Sequence, residues 1–202
     1  MREKMLLLFL TLGLFGCASV QKSGYLTDYS QLADGKHLEK VVVSPELGSR
    51  ENFGILIEDP NMDYVVEEDK PLALSSQDYF VEVLQKRIES ITGLKTATVV
   101  GSPGNPGETH LTLRTAMTRL DPGSRLGRWF AGDLGAGHSH VQVEGELLDP
   151  ATNISLMTFA DQRSGSAAGG WNPTGAISKQ LIEADLDGIA KAIAETIADA
   201  RK

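Results

Sequence analysis

The run His140-Val141-Gln142-Val143-Glu144-Gly145-Glu146-Leu147-Leu148 decides the fold, with the turn Asp149-Pro150-Ala151-Thr152-Asn153 and the return from Ile154 to Arg163. Val141, Val143 and Leu147 fall on one side of a period of two, and His140, Gln142, Glu144 and Glu146 on the other. That alternation is a strand with one apolar and one polar face. Pro150 and Asn153 then make a loop of about five residues, within the usual range for a β-hairpin. Working outward, Thr109 to Leu120 repeats the pattern. Leu111, Leu113, Thr115 and Met117 face one way, and His110, Thr112, Arg114, Ala116 and Thr118 face the other, as in an antiparallel strand with one wet face. Leu38 to Val43, Phe53 to Glu58 and Leu94 to Val100 are shorter runs rich in β-branched residues and read as further strands.

Two segments change period from two to 3.6. Phe80, Val83, Leu84, Ile88 and Ile91 form a helical stripe, starting near Ser75 with a Ser75–Asp78 capping box and ending at Gly93. Near the C-terminus Thr174 stands as a cap, and Ile177, Leu181, Ile182, Leu186, Ile189, Ile193 and Ile197 form a continuous apolar face. The expected architecture is α+β: a mostly antiparallel sheet of about four to six strands with two amphipathic helices on one face. Residues 38–202 are read as a single domain.

The N-terminus follows a different logic. Arg2 and Lys4 precede an apolar run from Met5 to Phe15, which is too short to span a bilayer and is followed by Gly16 and Cys17. Residues 1–16 read as a secretory signal peptide. Leu14-Phe15-Gly16-Cys17 resembles the lipobox of bacterial lipoproteins, with Phe15 in a place that usually takes a smaller residue. That resemblance implies acyl chains on Cys17, cleavage before it, and an outer-membrane anchor facing the periplasm, because Ala18 rather than an aspartate follows. One acyl chain holds a protein weakly and two or more hold it stably. Residues 18–37 are polar and turn-rich, so 17–37 is read as a lipidated N-terminus and tether. Tyr25, Leu26, Tyr29 and Leu32 nevertheless recur at near-helical spacing, which favours docking of Tyr25 and Tyr29 on the domain.

Composition bounds the partners. The 202 residues carry a formal charge of -8, with 41% hydrophobic and 23% charged residues. Those proportions are ordinary for a globular protein, and the negative balance argues against nucleic acid as a partner. A single cysteine excludes an intramolecular disulfide.

Two family resemblances follow from particular motifs. Ser23-Gly24-Tyr25-Leu26-Thr27-Asp28-Tyr29-Ser30-Gln31-Leu32 resembles the opening motif of lipoproteins in domain-of-unknown-function family 3313. Arg128-Trp129, Gly135-Ala136-Gly137, Glu146-Leu147-Leu148-Asp149 and Gly169-Gly170 resemble domain-of-unknown-function family 4410. At the turn, Asn153 stands where that second family usually has glycine. Neither resemblance implies an activity.

The motifs that could carry chemistry are few. His138 and His140 lie two residues apart, and with His110 they would make a zinc-dependent hydrolase. We read them instead as part of a polar outer face, so no metal site is assigned. Gly132, Gly135 and Gly137 lack the strand and helix that build a phosphate cradle. The acidic group Glu67-Glu68-Asp69 lacks the spacing of a calcium loop and reads as solvated. No cofactor is expected. Arg125, Arg128, Trp129 and Phe130 sit in a glycine-rich loop, and exposed arginines beside aromatics are typical of binding surfaces. The competing reading folds Trp129 and Phe130 over the open end of the sheet. The expected function is non-enzymatic: binding or scaffolding of another envelope component, protein or glycan. The alternatives are the metal-dependent hydrolase and a carrier holding an apolar ligand between helix and sheet.

Overall fold

A computed structural model describes residues 19–98, 109–123, 139–165 and 176–202. Its strands are β1 (Ala33–Asp34), β2 (Lys40–Val43), β3 (Phe53–Ile57), β4 (Thr96–Thr98), β5 (Thr109–Asp121), β6 (Ser139–Asp149) and β7 (Ile154–Gly165). Its helices among the described residues are α1 (Pro45–Gly48), α2 (Lys70–Thr92) and α3 (Ala176–Ala200). Residues 1–16, read from sequence as a signal peptide, Cys17, the stretch with Arg125, Arg128, Trp129 and Phe130, His138, and Thr174, read as a helix cap, lie outside the described residues.

The hairpin forms the middle of the sheet. β6 pairs antiparallel with β7 over Leu147↔Met157 and Val143↔Asp161, and with β5 over Leu113↔Leu147 and Met117↔Val143. In the turn, Asn153 adopts a φ of 56°. Asparagine tolerates that left-handed conformation better than most side chains, which is why it can stand in a glycine's place. Gly145 has a different reason. A Cβ there would lie 2.6 Å from Phe159 Cζ, so the aromatic ring of the partner strand occupies the space of the missing side chain.

The expected sheet of four to six strands with two helices on one face is corrected. Among the described residues seven strands run in the order β1-β2-β7-β6-β5-β3-β4, and three helices accompany them. The sheet is mixed, because β3 pairs parallel with both β4 and β5. Parallel neighbours need a long crossover, and α2 supplies it between β3 and β4. Two small elements account for the rest. Ala33–Asp34, whose composition suggests a turn, pairs antiparallel with β2 as an edge. Pro45, which ends the preceding strand, opens a one-turn helix in which Ser44 accepts a hydrogen bond from the Glu46 amide.

α2 also begins earlier than the Ser75–Asp78 box suggests. It starts at Lys70, with Asp69 as its cap residue and proline in the first turn. Proline is tolerated there because its missing N–H has no intrahelical acceptor. The other end is as expected. Gly93 takes a left-handed φ of 69° and its amide bonds Glu89 O.

α2 and α3 pack against each other, and α3 lies against β6 and β7. Between helices and sheet, Phe80, Leu84, Ile88, Leu111, Leu113, Met117, Val143, Leu147, Phe159, Ile189, Ile193 and Ile197 are fully buried. Burying each such side chain contributes roughly 1.5–3 kcal/mol.

Candidate functional site: the outer sheet face and its N-terminal strap

The middle of the hairpin's polar face is not wet, although His140 and Glu146 are half-buried and Arg114, opposite Glu146, is exposed. Glu144 and Gln142 on β6 are 0% and 1% exposed, and Ala116, Thr112 and Thr118 on β5 are buried as well. The expectation of one solvated face on β5 and β6 is therefore corrected for its middle, and holds at Arg114. What covers it is the chain from Ser19 to Leu32, here called the strap. Leu26 is buried in this layer, apart from the core beneath the helices.

Hydrogen bonds fix the strap residue by residue. The Val20 amide donates to Glu39 Oε1 at 2.9 Å. The Gln21 amide donates to Gln142 Oε1 at 2.8 Å, and Gln142 Nε2 donates back to Gln21 O at 2.7 Å. One side-chain amide thus clasps a backbone residue at both its donor and its acceptor, as a neighbouring strand would. Tyr29 is the second fixed point. Its hydroxyl donates to Glu144 Oε2 at 2.5 Å and accepts from the Gly24 amide at 3.1 Å. Lys22 Nζ stands 5.8 Å from the centre of the Tyr29 ring, within cation–π range.

Glu144 is the centre of this network. Besides Tyr29 it accepts from Thr118 Oγ1 at 3.0 Å and Gln142 Nε2 at 2.8 Å. All three donors are neutral. A buried carboxylate is tolerable only when its lone pairs are filled in this way, and one of the three donors comes from the strap. Where the strap's hydrogen bonds stop, satisfaction stops too. Gln162 lies opposite Gln142 in the β6–β7 pair and is 7% exposed, yet among the described residues neither atom of its side-chain amide has a hydrogen-bond partner.

At its other side the strap meets the segment between β3 and α2. Tyr25 and Tyr64 pack edge to face, with ring centres 5.6 Å apart. Burial, and then the charge of Glu146, push the Tyr25 phenol up to about 12. Tyr64 also lines a cleft of about 390 Å³ with Val66, Glu68, Asp69, Thr118, Arg119, Leu120, Asp121 and Pro122. Its carboxylates crowd one another. Burial, followed by the charges of Glu68 and Asp121, holds the Asp69 carboxyl above the ordinary range. Val66 is 58% exposed, so the cleft sets an open apolar edge beside the carboxylates of Glu68, Asp69 and Asp121. Glu68 and Asp69, read from sequence as part of a solvated loop, belong to this cleft.

The histidines do not converge. His110 lies one residue into β5, opposite Gly54 of β3, and His140 pairs with Asp121 at the far end of the same strand. At about 3.3 Å per residue the two are more than about 30 Å apart, whereas ring nitrogens sharing a zinc lie within about 4 Å of each other. A zinc site joining His110 to His140 is ruled out by register. Among the described residues no group of three His, Cys, Asp or Glu side chains is placed to hold a metal. No helix among the described residues is long and apolar enough to cross a membrane.

Comparison with known proteins adds the following. The chain is similar to PelC from Paraburkholderia phytofirmans, solved as a dodecamer, at 9% identity and a TM-score of 0.46, covering 70% of this chain and 88% of that one. It is similar to protein XCC0632 from Xanthomonas campestris at 11% identity and a TM-score of 0.49, covering 74% and 86%. A putative neuraminyllactose-binding hemagglutinin homolog from Helicobacter pylori is similar at 9% identity and a TM-score of 0.43, covering 75% and 89%. No curated protein matches. The model of the family described as Domain of unknown function (DUF4410) matches residues 60–170, from the cleft through the whole hairpin, and the chain belongs to that family.

Proposed function

We propose that this protein is a non-enzymatic lipoprotein of the bacterial envelope, anchored in the outer membrane by acyl chains on Cys17 and facing the periplasm. It binds or scaffolds another envelope component, protein or glycan, through the loop that carries Arg125, Arg128, Trp129 and Phe130. The observation that carries this reading is the cleft at the end of β5. Asp121 and Pro122 line it, so the chain enters the arginine loop from its rim. A half-open apolar edge beside carboxylates, next to a loop offering guanidinium and aromatic groups, suits recognition of a mixed polar and apolar surface. The anchor rests on the basic, apolar and small-residue order that ends at Cys17. The likeness of Ser23 to Leu32 to domain-of-unknown-function family 3313 belongs to the same proposal.

The test is photo-crosslinking in intact cells from a probe placed at Phe130. Arg128→Ala and Trp129→Ala are expected to abolish a discrete adduct while the purified variants unfold at the same denaturant concentration as the parent. Variants that unfold early would assign both residues to packing over the sheet end. Retention of the adduct in both would remove the loop from the binding surface.

A further inference from the structure

We infer that the strap holds the domain against the bilayer in one orientation, with the Gln142 end of the outer sheet face toward the lipid. The inference rests on the lipid anchor at Cys17 proposed above and deepens it by naming the surface the membrane meets.

The reasoning is one of chain length. A free tether from residue 17 to residue 37 would have a root-mean-square span of about 25 Å and would let the domain turn at will. The described chain is already fixed at Val20, by Glu39, and at Gln21, by both ends of the Gln142 amide. From Cys17 to Gln21 a fully extended backbone reaches at most about 14 Å. An acylated Cys17 sits at the headgroup level, so Gln142 must lie within that distance of the lipid surface. If the Val20 and Gln21 contacts alone were lost, the leash would lengthen only as far as Leu26 and Tyr29, which hold the remainder of the strap. The helices cover the opposite side of the sheet and are thereby turned away from the membrane.

Two exposed serines report the orientation. Ser164 pairs with His140, one repeat along the outer face from the Gln142–Gln162 pair, and Ser90 lies near the end of α2 in the helical layer. A fluorophore on Ser164→Cys or Ser90→Cys would be read in acylated, full-length mature protein. The vesicles would be phosphatidylethanolamine and phosphatidylglycerol with a nitroxide on a fraction of the headgroups. We expect the Ser164 probe to lose most of its emission and the Ser90 probe to keep nearly all of it. Inserting about twelve Gly and Ser residues between Ser19 and Val20 lengthens the leash without touching the latch, and should erase the difference. Equal quenching of the two probes in acylated protein, or a difference that survives the insertion, would overturn the inference and leave the anchor standing. A mass spectrum showing a bare Cys17 thiol overturns the anchor and the inference together.

Discussion

The two faces of this sheet are both buried, and by different means. Under α2 and α3 the contacts are Phe, Leu, Ile, Met and Val at 0% exposure, and the stabilisation follows from the apolar area withdrawn from water. Under the strap the buried set is Glu144, Gln142 and Thr118, joined to one another and to the half-buried Tyr29 by hydrogen bonds of 2.5–3.0 Å. Apolar burial is tolerant of small shifts, because it depends on area and volume. A polar network depends on register, because each donor left without its acceptor costs roughly 1–3 kcal/mol. The helical face therefore supplies most of the stability, and the strap face fixes where one segment must lie.

The largest effect should come from breaking the helical face. Phe159 is fully buried and fills the space over Gly145. Phe159→Ala is expected to cost about 3–5 kcal/mol in chemical denaturation, through lost burial and the cavity left behind. A loss below about 1 kcal/mol would mean that the two faces contribute alike, and the contrast drawn above would fail.

A smaller effect, but a more local one, should follow at the strap. Tyr29→Phe keeps the ring and removes the donor to Glu144 and the acceptor of the Gly24 amide. We expect a loss of about 1–2 kcal/mol in global stability. Hydrogen exchange should speed up at Gln21 and Gly24 while the amides of α3 keep their protection. Uniform acceleration across both regions would show that the strap is part of the same cooperative unit as the core.

The helical face was legible in the sequence because its signals are periodic. The alternation in Val141 to Leu147, the stripe from Phe80 to Ile88 and the left-handed cap at Gly93 each follow from local chemistry. The strap face was legible only in part. Tyr25 and Tyr29 stood out as residues a free tether does not need, and both dock. The alternation around Glu144 shows which way a side chain points, and cannot show whether water reaches it. Gln142 and Glu144 therefore look like solvent-facing residues until the strap is placed over them. The parallel pairing of β3 was hidden for a related reason, since its partner β5 lies beyond α2 and β4, and short apolar runs carry no record of strand direction.

The gentlest probe of the comparison is a titration at the edge of the strap, where Tyr25 packs on Tyr64. Burial and the nearby Glu146 carboxylate disfavour the phenolate, and the pKa stands near 12 against an ordinary value of 10.0. In the folded protein the proton is held more tightly than in the unfolded chain. Docking of this ring therefore contributes its full stabilisation below pH 10 and loses it as pH rises from there toward 12. Ultraviolet titration of the phenolate band, with the curve of Tyr25→Phe subtracted, should yield a single phenol ionising near pH 12. A difference curve centred at pH 10 would place the ring in water, and the strap would then be held by Val20, Gln21, Leu26 and Tyr29 without it.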